Sequence, residues 1–151
     1  MSRKVDVMAA GIPDSGFVPK SPILTFMGIR IMRPDPADPT TAICEVELTD
    51  EVRNTAGVLN GGVVATVIDT AGGSAAARAT GSMAIATAVM TLQYLGPVAI
   101  GPGRATARVL RKGQRSVVVQ VDMVDVGDGN RLAVTGTMNL TAGPPSTDGM
   151  S

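Results

Sequence analysis

One carboxylate sits among the smallest side chains of the sequence, in the stretch NTAGVLNGGVVATVIDTAGGSAAA, from Asn54 to Ala77. Asn54, Asn60, Gly61, Gly62 and Asp69 are the residues in it that could do chemistry. A Gly-Gly pair opening a helix offers free N–H groups at the positive end of the dipole, where an oxygen gaining negative charge can be held. Glycine lets a carbonyl approach with no Cβ in the way. A carboxylate can take a proton from water. Each residue also has a plainer reading. Gly61-Gly62 could serve only a tight strand-to-helix turn with Asn60 as N-cap. Asn54 either polarises a carbonyl or positions a water, or it makes a turn. Asp69 could simply be solvated. The surroundings favour function, because the face that carries Asp69 shows Ala65, Gly72 and Ala76. A solvated helix face would carry Lys, Glu, Gln or Arg. Small residues there suggest the close approach of another backbone, most simply a second copy of the same helix or sheet, with Asp69 buried at the contact.

The rest of the composition narrows the chemistry. The chain has 151 residues, enough for one domain with a real core. It has 13 basic and 13 acidic residues, so bulk charge draws it neither to nucleic acid nor to an anionic membrane. It has no histidine, which removes His-dependent triads, His-Asp hydratase pairs and His-ligated zinc. Catalysis must run on carboxylates, amides, hydroxyls and backbone N–H groups, with no metal or cofactor expected. The only aromatic residues are Phe17, Phe26 and Tyr94, so the interior is built from Val, Ala, Leu, Ile and Met. Cys44, the only cysteine, reads as a small buried hydrophobe in a reduced, cytoplasmic setting. No signal peptide or membrane-spanning stretch is expected.

The elements that must position these residues follow from periodicity. Residues 1 to about 20 read as a flexible segment, 21–141 as the folded domain and 142–151 as a disordered tail. Ser21 and Pro22 suit the cap and first turn of a short helix, with Ile23, Leu24, Met27 and Ile31 at helix-compatible spacing, leading into an extended piece. Arg33 to Pro39 is a loop with three prolines. Thr40 to Thr49 alternates as a half-buried strand, with Ala42, Cys44, Val46 and Leu48 on one side. Gly61 to about Ala79 is the one long helix, with Val63, Val64, Val67, Ile68 and Ala71 on its core stripe. Four alternating segments follow at Met83 to Tyr94, Gly103 to Lys112, Arg115 to Val126 and Arg131 to Thr141, and their tight turns imply consecutive hairpins. The fold class is α+β, an antiparallel sheet against one long helix.

Five of the basic residues, Arg104, Arg108, Arg111, Lys112 and Arg115, fall within twelve positions, and Asp69 is the only acid between Glu51 and Asp122. Such a cluster could hold phosphates or could be a solvated, charge-protected strand edge. No aromatic platform accompanies it, so nucleic acid is not the expected partner.

The pattern Asn54-x-x-Gly57-x-x-Asn60-Gly61-Gly62 with Asp69 in the helix resembles the hotdog-fold thioesterases. The nearest likeness is to the phenylacetate-degradation (PaaI-like) and hydroxybenzoyl-CoA branch. The similarity runs from about Phe26 to Leu140 and includes Phe26 to Ile29 and the turn Arg111 to Arg115. It implies a hotdog fold and an acyl-CoA thioesterase with no cofactor. Asp69 would be the general base or nucleophile, the Gly61 N–H the oxyanion donor beside Gly62, Asn54 the upstream amide and Thr87 the hydroxyl that holds water. It also implies a site between subunits, Asp69 and Thr87 facing Asn54 and Gly61 of the other copy. The expected assembly is a homodimer, doubled into a homotetramer. Asn60 stands where the family usually has histidine and can still cap the helix and donate a hydrogen bond. The competing class is a hotdog protein that binds an acyl or CoA group without hydrolysing it. Hydratase activity is disfavoured by the lack of histidine.

Overall fold

A computed structural model describes residues 20–144. The segments expected to be loose lie outside the described residues, apart from Lys20 and 142–144. Ala142 belongs to the last strand, so the folded domain runs past the expected boundary at 141.

The short helix α1 spans Pro22–Met27 and ends at Gly28 in the left-handed conformation. Strand β1 (Arg30–Ile31) and strand β2 (Thr41–Val46) follow, and then helix α2 (Gly61–Thr80). The chain continues through β3 (Ile85–Tyr94), β4 (Gly103–Lys112), β5 (Ser116–Asp125) and β6 (Arg131–Ala142). All pairings are antiparallel, in one sheet of order β1-β2-β4-β5-β6-β3. The helix and strands follow the periodicities of the sequence to within a few residues, except that Ile31, read at helical spacing, lies in β1 because Gly28 ends the short helix.

The connectivity corrects one expectation. Strands β3 and β4 do not form a hairpin: β3 pairs with β6 at one edge, while β4 lies between β2 and β5. The segment between them, Leu95 to Pro102, crosses the end of the sheet and so is more than a turn. Sheet and helix bury a core of Val, Ala and Ile, with Val67, Ile68, Ala71, Val117, Val119, Val121 and Leu140 fully enclosed. Gly72 and Ala76 are part of that core and do not lie on an outward face. A Cβ on Gly72 would lie 2.2 Å from the Met138 sulfur, so the glycine is set by packing against β6.

Of the three register shifts in the sheet, two re-aim side chains that bear on the site. In β3 the register with β6 shifts between Thr87 and Val89. Thr87 pairs with buried Leu140, Met90 with buried Met138 and Tyr94 with buried Val134. Strict alternation would put residues 87 and 94 on opposite faces. The extra residue, Ala88, puts both on the face toward α2. In β4 the shift between Val109 and Arg111 pairs Arg111 with Val118. Arg104, Arg108 and Arg111 thereby share the face away from the helix.

Candidate active site

Helix α2 starts as its sequence requires. Asn60 is the N-cap in extended conformation, and its Oδ1 accepts the Gly62 N–H at 2.8 Å. The Gly61 N–H has no hydrogen-bond partner among the described residues and points out of the first turn. Gly61 is exposed. This end of the helix presents one N–H group without a partner among the described residues, at the positive end of a 20-residue dipole.

Asp69 lies two turns further on and faces the edge strand. The Thr87 hydroxyl donates to Asp69 Oδ1 at 2.6 Å, and both residues are exposed in the single chain. A charge-assisted O–H···O⁻ bond of this length is a strong one. It fixes one carboxylate oxygen and leaves the other without a hydrogen bond among the described residues. The pair joins a helix residue to a strand residue 18 positions later. The Ala88 bulge lies beside it, as bulges often lie beside active sites.

Asn54 has the plainer role. Its Oδ1 accepts the N–H groups of Ala56 (3.0 Å) and Val58 (3.2 Å), and its backbone pairs with Val58 and Gly57. The side-chain oxygen closes the loop before the helix. Only the amide nitrogen is left to reach a ligand.

Among the basic residues, Arg104 is committed to buried Glu45 at 3.0 Å. Arg108, Arg111, Lys112 and Arg115 are exposed. Thr80, Arg111, Lys112, Gly113 and Gln114 line a cleft of about 570 Å³ together with Ala142 and Gly143. This cleft lies at the end of the sheet where β3 begins, since Ile85 pairs with Ala142. Thr87 is two residues from that end.

Two residues near the helix start escape a reading of the sequence alone. Tyr94, the last residue of β3, donates its hydroxyl to the Gly61 carbonyl at 2.7 Å. Asp125 is wholly buried. It accepts the N–H groups of Ala99 (2.8 Å), Ile100 (3.1 Å) and Gly101 (2.7 Å) and holds the 95–102 crossing in place. Burial pushes the Asp125 carboxyl up, but the three N–H groups and the charge of Arg131 outweigh it and hold the group below its ordinary value. The crossing in turn reaches the helix start, since the Leu59 N–H donates to the Val98 carbonyl at 3.0 Å. A period-two count could have found Asp125: it continues the buried series Val117, Val119, Val121, Met123. Tyr94 had no such signal, because the bulge breaks the count.

An antiparallel sheet wrapped on a single long helix, with a glycine helix start and an acid in its middle, defines a hotdog protein of the thioester-hydrolysing type. The Thioesterase superfamily profile matches residues 56–131, half of the chain, and the chain belongs to that family. Among its relatives is a Saccharolobus solfataricus protein with a provisional esterase name. It is 29% identical over 103 residues, covering 68% of this chain and 71% of that protein. Acyl-coenzyme A thioesterase 13 of Homo sapiens is 29% identical over 98 residues, 64% of this chain and 70% of its own. A crystal structure of a Haemophilus influenzae thioesterase superposes with a TM-score of 0.73 at 20% identity, covering 83% of this chain and 85% of that one. At that identity the likeness bears on the fold, which it matches. The profile spans Gly61, Asp69, Thr87 and Arg111 to Arg115 but begins after Asn54.

Proposed function

We propose that the protein hydrolyses acyl-CoA thioesters, in the manner of the PaaI-like branch, at sites shared between two copies of the chain. The observation that carries this reading is the Thr87–Asp69 pair, 2.6 Å apart between the edge strand and α2, together with a free Gly61 N–H in the same helix. Eight residues of helix separate Gly61 from Asp69, roughly 12 Å along the axis. That is too far for both to act on one carbonyl. A second copy removes the mismatch. Strand β3 is ten residues long, lies at an edge and has neither a charge nor a proline to protect it. Antiparallel pairing of two such edges about a two-fold near Val89 and Met90 would bring Thr87 of one copy opposite the Leu92–Tyr94 end of the other, where Tyr94 touches Gly61.

In that arrangement Asp69 acts as general base. A water held by Thr87 attacks the thioester carbonyl and passes its proton to the free carboxylate oxygen. The oxyanion rests on the Gly61 N–H of the other copy. Collapse of the tetrahedral intermediate breaks the C–S bond, and the proton on Asp69 goes to the departing thiolate. Loss of one oxyanion donor costs about 3 kcal/mol, roughly a hundredfold in rate. Asn54 supports the loop and offers its amide. Asn60 caps the helix, so the step needs no histidine.

The human relative's name supplies the substrate class, acyl-coenzyme A, and the basic turn supplies a place for its phosphates. Arg111, Lys112 and Arg115, with Arg108 beside them, meet the pyrophosphate and 3′-phosphate. Arg104, already paired with Glu45, contributes less. Raising salt should weaken CoA binding, and Arg111→Ala should lessen that dependence. The buried, unpaired Cys44 suits a cytoplasmic protein.

Thiol release from a panel of short, medium and aromatic acyl-CoAs, run beside a CoA thermal-shift measurement, tests the reading. Release supports it. Stabilisation by CoA without release from any member of the panel would instead mean a binding protein that no longer hydrolyses.

A further inference from the structure

Tyr94 takes no part in the proton transfer described above, yet it touches the residue on which the oxyanion would rest. Its hydroxyl donates to the Gly61 carbonyl at 2.7 Å, and a Cβ on Gly61 would stand 3.7 Å from its ring. Tyr94 reaches the helix because the Ala88 bulge turns it to the same face as Thr87. One strand therefore touches both chemical positions of α2, Asp69 through Thr87 and Gly61 through Tyr94.

A helix that begins with two glycines begins with the two most conformationally free residues available. Left alone, such a turn frays, and an N–H that wanders is a poor oxyanion donor, because preorganisation is what gives such donors their effect. Two side chains oppose the fraying. The Asn60 side chain holds the Gly62 N–H, and the Tyr94 hydroxyl holds the Gly61 carbonyl. The group left over is the Gly61 N–H.

We infer that Tyr94 is a positioning residue, whose hydroxyl bond to the Gly61 carbonyl fixes the first turn of α2 so that the Gly61 N–H stays aimed at the developing oxyanion. The inference rests on the assignment of Gly61 as that donor. Tyr94 does not touch the thioester in this scheme. It acts through Gly61. Burial pushes the phenol above its ordinary value, so it remains a donor throughout the neutral range.

Tyr94→Phe keeps the ring and removes the bond. In the full-length enzyme kcat should fall about tenfold, the scale of one lost hydrogen bond, with KM within about twofold and the oligomeric state unchanged. Amide exchange at Gly62, whose N–H is held by the Asn60 side chain in the same turn, should quicken. Unchanged kcat would overturn the inference, as would a parallel loss of kcat, KM and assembly. Because Tyr94 is the only tyrosine, a ring-fluorinated analogue with a more acidic phenol can replace it without altering shape. The alkaline fall of kcat should then move to lower pH along with the phenol. A pH limb that stays in place would contradict the inference even if Tyr94→Phe failed to fold. Asp69→Asn, measured in parallel, separates the two levels. If it still turns over, the hydrolytic site itself is misassigned. If it is inactive while Tyr94→Phe matches the wild type, only the role of Tyr94 falls.

Discussion

Two carboxylates in this molecule, Asp125 and Asp69, occupy opposite conditions. Asp125 is fully enclosed, and three backbone N–H groups engage both of its oxygens. Asp69 is exposed in the single chain and accepts one hydroxyl, from Thr87. Burial alone would single out Asp125 as the unusual acid. Counting hydrogen bonds reverses the ranking, because three of the four lone-pair sites of Asp125 are committed to the loop it holds, while Asp69 is oriented by one bond and keeps an oxygen uncommitted. In this fold the enclosed acid builds the scaffold, and the half-held acid keeps one oxygen open.

Removing the charge from each in turn should separate those roles. Asp69→Asn should cut turnover about a thousandfold or more, the upper part of the range for a general base, with a melting temperature close to that of the wild type. Asp125→Asn should do the reverse. Its NH₂ group would face a backbone N–H, and the loss of charge-assisted bonds should destabilise the fold by about 3 kcal/mol. Chemical denaturation and thiol release on the same two variants check both statements, and equal effects on stability would erase the distinction.

The same contrast has a pH form. Because the folded Asp125 carboxyl is held below its ordinary value, its contribution to stability is complete above the unfolded pKa near 4 and is lost as pH falls through the lower folded value. Acid titration of stability should therefore be flatter in Asp125→Asn below about pH 4 than in the wild type. A smaller effect is expected at Thr87, where Thr87→Val removes the hydroxyl at constant shape. It should slow turnover about tenfold, roughly 1.4 kcal/mol, and leave stability within about 0.5 kcal/mol. A Thr87→Val enzyme as fast as the wild type would show that Asp69 needs no orienting bond.

Much of this architecture was legible before any coordinates. The turns at Gly113 and Gly127–Asn130 bound alternating runs, and the Val/Ile stripe of α2 has a clear helical period, so strands and helix could be placed closely. The Asn60 cap followed from residue type and position. The Thr87–Asp69 pair came from a family resemblance, since no local pattern links positions 18 apart. What stayed hidden depended on single extra residues. Ala88 carries no glycine or proline to mark its bulge, and without the bulge Tyr94 counts to the wrong face. Leu110 does the same for Arg111. The helical wheel put Gly72 and Ala76 beside Asp69 on the outside. A wheel gives an angle but does not know that β6 sends Met138 across to meet Gly72. Asn54 looked equally fit for catalysis or for a turn, and the turn claims its oxygen.

The central claim is that Asp69 and Gly61 of one functional site belong to different chains, and mixing two inactive variants tests it most directly. Asp69→Asn removes the base. Gly61→Pro removes the donor N–H at the first helical position, where proline is tolerated, after an Asn60 already in the extended conformation a following proline requires. Each variant alone should be inactive. When the two are unfolded together and refolded, mixed dimers carry one doubly damaged site and one intact site, so random pairing should restore about a quarter of wild-type turnover. A mixture as inactive as its components would place both groups of each site in one chain and contradict the account.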